Sequence, residues 1–367
     1  MPAVSDRLPV FPWDRLEPYK KTAAAHSDGI VDLSVGTPVD PVPEAVQKAL
    51  AEASDSPGYP TVWGTAELRD ALTGWAERRL GAKDLTHHHV LPVVGSKELV
   101  AWLPLQLGLG AGDRVAYPRL AYPTYEIGAR LAGAEPVTYD DPWEVDPQGL
   151  RLLWLNSPSN PTGRVLTPEE LRRTVAWARE HGVLLASDEC YIELGWTTDP
   201  VSVLHPTVCG GSYEGILALH SLSKRSNLAG YRAAFLVGDA HVLGELLQIR
   251  KHGGMMVPAP VQAATVAALG DTSHVAEQRE RYAHRRDALW SALEAAGFRI
   301  EHSEASLYLW ATRDESCWET VAWLAERGIL AAPGDFYGEA GDRFVRIALT
   351  ASDERVQAAV RRLVAAG

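Results

Sequence analysis

A lysine that directly follows an apolar strand is the first residue to explain. Ile216–Leu219 reads as a short buried strand, and it runs into His220-Ser221-Leu222-Ser223-Lys224. Lysines are normally solvated, so an amine at the end of a buried strand points to a chemical task. Burial and neighbouring cations keep such an amine neutral, able to form an imine and later to carry a proton. Four other strand ends are equally polar. Val94 is followed by Gly95-Ser96-Lys97-Glu98, which opens a helix, and Tyr117 leads to Ala121-Tyr122-Pro123-Thr124-Tyr125. Leu155 is followed by Asn156-Ser157-Pro158-Ser159-Asn160-Pro161-Thr162-Gly163, and Ala186 by Ser187-Asp188-Glu189-Cys190-Tyr191. Ligands in parallel α/β sheets bind just past the carboxyl ends of strands. Together these ends supply anion donors, an aromatic face, an amide, a carboxylate and an amine. That set matches the needs of pyridoxal phosphate: a phosphate cradle, ring support, a partner for the phenolic oxygen, an acid at the pyridine nitrogen and an amine for covalent attachment.

The elements that must position these residues follow a βα alternation from about residue 65. Helical patterns cover Glu67–Leu80, Lys97–Leu107 and Tyr125–Leu131, with short strands at Val90–Val94, Arg114–Tyr117, Leu152–Leu155 and Val183–Ala186. Thr167-Pro168-Glu169-Glu170 spells an N-cap, a proline at the first helical position and a glutamate at N3, so a helix should run from there to His181 and stop at Gly182. The alternation predicts an α/β fold: a mostly parallel sheet with helices on both faces. After residue 270 the pattern changes to a long charged helix over Ala276–Ala296, strands at Phe298–Glu301, Leu307–Ala311 and Phe344–Leu349, and helices over Trp318–Arg327 and from Asp353. This reads as a smaller α+β domain. The expected division is 1–45 as an N-terminal arm contributing to the small domain, 46–270 as the large cofactor-binding domain and 271–367 as the small domain.

Composition narrows the function classes. The chain has 367 residues, 46% apolar and 22% charged, with 35 basic against 47 acidic side chains and a net charge of −12. Such a balance excludes a mainly disordered chain and disfavours nucleic acid or an anionic membrane surface as partners. No apolar run reaches the ~18 residues of a membrane span. Met1–Trp13 is broken by prolines and lacks the apolar core of a signal peptide. Cys190, Cys209 and Cys317 show neither zinc spacing nor a disulfide framework, so a cytoplasmic, reducing setting is expected. His87-His88-His89 is read as a solvated loop, not a metal site.

Asn160-Pro161-Thr162-Gly163, followed by Ser221-Leu222-Ser223-Lys224 and then Arg232, carries a resemblance that extends from about Val35 to Thr350. The chain resembles the class I/II aminotransferases of the fold-type I pyridoxal phosphate enzymes. The resemblance implies Lys224 as the lysine that bears the cofactor and Asp188 as the partner of the pyridine nitrogen. Asn160 and Tyr191 would hold the ring oxygen. Ser96, the backbone N–H of Lys97, Ser221 and Arg232 would form the phosphate site, at a helix start. Lys97 departs from the small hydroxyl residue often found at its position. Tyr122 is the candidate for stacking on the ring, with Tyr125 its competitor. Arg346 matches the arginine that grips the substrate α-carboxylate, with Arg343 as a rim charge, and Gly36 would bring a backbone N–H to the same carboxylate. Tyr59 matches a tyrosine that reaches the phosphate of a neighbouring subunit, which implies a homodimer with shared active sites.

The substrate expectation rests on a narrower resemblance. Lys251-His252-Gly253-Gly254-Met255-Met256 and Gly58-Tyr59-Pro60-Thr61 look like N-succinyldiaminopimelate aminotransferases of bacterial lysine biosynthesis. That implies glutamate as amino donor and N-succinyl-2-amino-6-oxopimelate as acceptor, with Arg225, Lys251 or His252 as a cation at the pocket mouth. The plainer reading of Gly-Gly-Met-Met is a helix stop followed by core filler. Aspartate, aromatic or unacylated diaminopimelate aminotransferases are the alternatives, as is a β-lyase using the same cofactor. A regulatory module or a serine hydrolase would need a preceding basic helix-turn-helix or further motifs, and neither is present.

Overall fold

The computed structural model describes residues 4–9 and 11–365. Residues 1–3 and 10 of the proline-rich N-terminal segment lie outside them, as do 366 and 367. Strands in chain order are β1 (Val31–Asp32), β2 (Val90–Val93), β3 (Arg114–Pro118), β4 (Glu135–Tyr139), β5 (Leu150–Asn156), β6 (Leu184–Asp188), β7 (Ile216–Ser221), β8 (Ala234–Gly238), β9 (Arg299–Glu301), β10 (Tyr308–Thr312), β11 (Ile329–Leu330), β12 (Ala332–Pro333) and β13 (Val345–Ala348).

Seven of them form one sheet in the order β2-β8-β7-β6-β5-β3-β4. Only β8 runs antiparallel to its neighbours. Successive residues point to opposite faces of a strand, and both faces here are packed. Leu153, Leu155, Leu185 and Phe235 join one apolar cluster, while Leu152, Trp154, Ala186 and Leu236 join another on the opposite face. Burial on both sides is why the strand sequences are continuous apolar runs. The expected mostly parallel sheet covered by helices is therefore the observed one. β4 and β8 were not anticipated. The carboxyl ends of three strands align through direct pairing: Asn156 opposite Asp188, and Asp188 opposite Leu219.

The predicted helix caps form as physical chemistry requires. Thr167 Oγ accepts from the Glu170 N–H at 3.2 Å and Glu170 returns the bond to the Thr167 N–H at 2.7 Å, so the helix Pro168–Glu180 starts with two donors satisfied. The long helix spans Ser273–Ala295. A second, antiparallel sheet has the order β12-β13-β10-β9. The N-terminal strand β1 pairs with β11 in parallel, and Leu16, Val31 and Leu33 share an apolar cluster with Leu309, Val321 and Ile347. Among the described residues no helix is long and apolar enough to cross a membrane, and no group of three metal-ligating side chains occurs. His87 instead bonds Asp70 at 2.7 Å, beside a ring contact between His88 and Trp63.

Candidate active site

A cleft of about 470 Å³ lies at the carboxyl ends of β5, β6 and β7, closed by β10, β13 and the segment around Gly36. The candidate cofactor and α-carboxylate residues line it, apart from Tyr59; Arg225, Lys251, His252 and Arg343 do not. Lys224 sits one turn into the short helix that follows β7, and its amine donates to the Gly36 carbonyl. Burial lowers the proton affinity of the amine; Arg346 and Arg232 push the same way, while Tyr308 opposes them. A neutral amine is what imine formation requires.

Asp188 ends β6 and is buried. Its Oδ2 accepts the Tyr125 hydroxyl at 2.8 Å and its Oδ1 accepts the Cys190 N–H at 3.2 Å. Burial raises its proton affinity, and these hydrogen bonds counter it. Tyr125 is thus committed to Asp188, while Tyr122 is half-buried in the cleft, with the Lys97 ammonium 5.7 Å from its ring centre. The loop after β5 is built by Asn156. Its Oδ1 accepts from the Asn160 N–H at 2.7 Å and its Nδ2 donates to the carbonyls of Pro158 and Asp188. Asn160 is thereby fixed, and its Oδ1 accepts from Arg346 Nη1 at 2.8 Å.

The opposite end of the cleft is cationic. Gly95, at φ +97°, caps the helix Ser96–Gln106, and a Cβ there would collide with the Arg232 guanidinium. Only glycine lets this arginine lie against the helix start, where free N–H groups and the helix dipole also favour an anion. Ser221 Oγ accepts from the Ser223 N–H at 3.1 Å in the same corner. A doubly charged phosphate fits this donor set.

Arg346 lies on β13, is 3% exposed and faces the cleft. Besides Asn160, it donates from Nη2 to the Ser34 carbonyl at 2.7 Å. Its guanidinium carbon is 3.9 Å from the Tyr308 ring centre and 4.8 Å from that of Tyr337. Its Nε is buried without a hydrogen-bond partner among the described residues. Arg343 is exposed and bonds the Asp314 carbonyl, so it is the rim charge.

Two expectations fail. Arg225 is no pocket-mouth cation: it is buried in an ion pair with Glu193 and donates to the Ala268 carbonyl at 3.1 Å. Lys251 and His252 are exposed at the end of the helix Ala240–Gly253 and do not line the cleft. Gly254 ends that helix at φ +67°, Met255 accepts from Gln106 at 3.4 Å, and Met256 packs on the apolar cluster that holds Leu152 and Trp154. Within one chain this stretch is a helix stop followed by core filler, because the chain turns inward at the left-handed glycine. Tyr59 is 96% exposed and lies outside the cleft of its own chain. Tyr308 and Tyr337 were not anticipated. Both sit in apolar strand or turn sequences that give no sign of a polar task.

The fold and the site define a pyridoxal phosphate-dependent aminotransferase. The sequence matches Aminotransferase class I and II over residues 28–363, and the chain belongs to that family. It is 62% identical over 360 residues to a probable aminotransferase of Mycobacterium tuberculosis, covering 98% of this chain and 86% of that one. It is 60% identical over 356 residues to the 4-dedimethylamino-4-oxo-anhydrotetracycline transaminase of Streptomyces rimosus, covering 97% and 99%. A probable N-succinyldiaminopimelate aminotransferase from Thermus thermophilus superposes with a TM-score of 0.87 at 30% identity, covering 97% of this chain and all of that one.

Proposed function

We propose that the chain moves an amino group from glutamate to an oxo-acid acceptor, holding the α-carboxylate of each on Arg346. One observation carries this. Four arginines are buried among the described residues; Arg225, Arg250 and Arg285 each hold a carboxylate, and Arg346 does not. A buried cation facing a cleft without its counter-ion is suited to bind one from outside.

When bound, pyridoxal phosphate supplies an electron sink for the bond broken at the substrate Cα. Arg232, Ser96, Ser221 and the backbone of Lys97 hold its phosphate in this proposal, Tyr122 covers its ring, and Asn160 and Tyr191 hold its phenolic oxygen. Asp188 keeps a proton on the pyridine nitrogen, and Lys224 moves the proton at the substrate carbon. The arginine fork on the α-carboxylate orients the Cα–H bond toward Lys224. The proposal takes the chain as divided at about residues 45 and 270, and places the enzyme in the cytoplasm.

For the acceptor, the sequence resemblance and the Thermus relative's name support N-succinyl-2-amino-6-oxopimelate. A second reading is favoured by the cleft wall, where Phe11, Trp13 and Tyr122 present rings; the Streptomyces relative, named for an anhydrotetracycline substrate, fits it. That reading is an acceptor with an aromatic distal part. The test compares kcat/KM for the succinylated acceptor with those for oxaloacetate, phenylpyruvate and unacylated diaminopimelate-derived acceptors. An advantage of at least ~10-fold for the succinyl compound supports the first reading; a like advantage for phenylpyruvate supports the second. Product formation without an oxo acid would identify a β-lyase.

The proposal includes a homodimer with shared sites. Tyr59, Trp102, Leu105 and Ile249 are apolar or aromatic side chains exposed on the single chain, the kind of surface a partner subunit covers. Mixing inactive Lys224→Ala and Tyr59→Phe variants should restore activity in hybrids, which regain one intact site. No recovery after proven subunit exchange counts against sharing.

A further inference from the structure

Tyr308 stands opposite Ala348 on the β10–β13 pair, and Arg346 stands opposite Trp310. In an antiparallel ladder this makes Tyr308 and Arg346 diagonal neighbours on one face, so the ring comes to lie under the guanidinium. The other end of the side chain reaches a different part of the site. Its hydroxyl is 3.2 Å from that of Tyr191. It also fills the space beside Gly36 where any Cβ would collide with it, and the Gly36 carbonyl is the acceptor of the Lys224 amine. A phenylalanine would serve the ring contact; the hydroxyl adds the approach to Tyr191 and Gly36.

We propose that Tyr308 is a positioning residue serving two ends of the site: its ring seats Arg346 for the substrate α-carboxylate, and its hydroxyl, with Tyr191 and Gly36, holds Lys224 in place for the cofactor. The proposal rests on Arg346 being the carboxylate receptor. A cation lying over an aromatic face in a desolvated site is attracted to it, and this contact stands where the other buried arginines have a carboxylate. The hydroxyl pair fixes Tyr191 and narrows the space open to the lysine. Buried polar pairs of this kind fix geometry because leaving either member unpaired is costly.

The experiment uses the holoenzyme with Tyr308→Phe and Tyr308→Leu, and Arg346→Lys as the control for the receptor. Three quantities are read: the thermal midpoint, the affinity for succinate by isothermal titration, and the pH midpoint of the bound cofactor's visible absorbance. Tyr308→Phe keeps the ring, so succinate binding should stay within ~2-fold of the parent while the absorbance midpoint moves by at least ~0.5 pH unit. The other charged or titratable groups that face Lys224 across the cleft, among them Lys97, Asp188, Cys190, Tyr191, Arg232 and Arg346, are unchanged in this variant. Tyr308→Leu loses the ring as well and should bind succinate at least ~5-fold more weakly. An unmoved midpoint in Tyr308→Phe, or parent-like succinate binding in Tyr308→Leu, overturns the proposal. Should the leucine variant not fold, Tyr308→Phe alone decides. If Arg346→Lys also binds succinate like the parent, the receptor assignment has failed, and with it the ground on which the proposal stands.

Discussion

Arg285 and Arg346 are both 3% exposed, and they live in opposite circumstances. Arg285, on the long helix of the C-terminal region, is saturated. Its Nη1 and Nη2 donate to Asp40 at 2.8 and 2.7 Å, and its Nε donates to Asp353 at 2.6 Å. Arg346 has two neutral oxygens, two aromatic rings and an Nε without a partner. A buried charge is tolerated when its counter-charge and hydrogen bonds are built in. The first arginine meets that condition within the fold and ties the N-terminal segment to the helix Ser273–Ala295. The second does not, and in the proposed function a substrate carboxylate supplies the missing part. Burial alone says nothing about which role an arginine has; the inventory of its partners does.

The largest effect expected of any single change falls in the incomplete region. On the proposed assignment, Lys224→Ala removes both the amine that bears the cofactor and the proton carrier, so turnover should fall by several orders of magnitude with the thermal midpoint little altered. Borohydride reduction and peptide mapping should place a pyridoxyl group on Lys224 in the parent. An adduct at another lysine would remove the site from this cleft.

Arg285→Leu should do the reverse. It leaves the half-buried Asp40 without its cation but still bonded to Gln278, a change that costs about 1–3 kcal/mol, while kcat/KM measured well below the melting range stays near the parent's. The pH dependence sharpens the contrast. Burial raises the proton affinity of Asp40, but hydrogen bonds from Arg285 and Gln278 outweigh it and the folded pKa is depressed. The pair therefore stabilises the fold above the ordinary carboxylate pKa of about 4 and is lost as pH falls through the folded value. The gap between parent and variant in denaturant melts should be full at neutral pH and shrink below about pH 4. A gap independent of pH would mean that the arginine acts by packing.

Arg346→Lys keeps the charge and loses the fork. kcat/KM should fall at least ~10-fold for amino donor and oxo acceptor alike, and among the described residues no carboxylate loses a partner. An effect confined to one half-reaction would refute a shared carboxylate site.

The difference between the two arginines also marks what could be read from sequence. Lys224, Asp188 and Asn160 announce themselves because each follows an apolar strand within a few residues, and parallel sheets collect strand ends. Arg346 was found through its motif, but its lack of a counter-ion depends on pairings hundreds of residues apart in the chain. The same holds for Arg225. Its charge suggested a pocket mouth, and only the fold brings Glu193 to it. Tyr308 lies in Leu307-Tyr308-Leu309-Trp310, which reads as core, and its role arises from a diagonal neighbour on another strand. β4 escaped notice because it is an edge strand that begins Glu135-Pro136, and edge strands need not be apolar. β8 follows a loop set by Arg232 and is the one antiparallel strand of the sheet, outside the βα rhythm.

The smallest effect separates the two acceptor readings at the cleft mouth, where the incomplete region opens to solvent. Trp13 packs against Phe336 with ring centres 5.1 Å apart and continues to Phe11, which is 58% exposed. These rings offer flat apolar area but no charge. An acceptor that lays an aromatic group on them loses that contact in Trp13→Ala, where an aromatic pair is worth about 0.5–1.5 kcal/mol beyond its buried area. The expected outcome is a fall of ~3–10-fold in kcat/KM for phenylpyruvate, with pyruvate, which has no distal group, close to the parent. In the proposed function the α-carboxylate meets Arg346 in either case, so the arginine's contribution cancels from the ratio. An equal fall for both acceptors would assign Trp13 to holding the apolar cluster around Phe336 and Trp310, and the acceptor's distal end would then have to be read elsewhere.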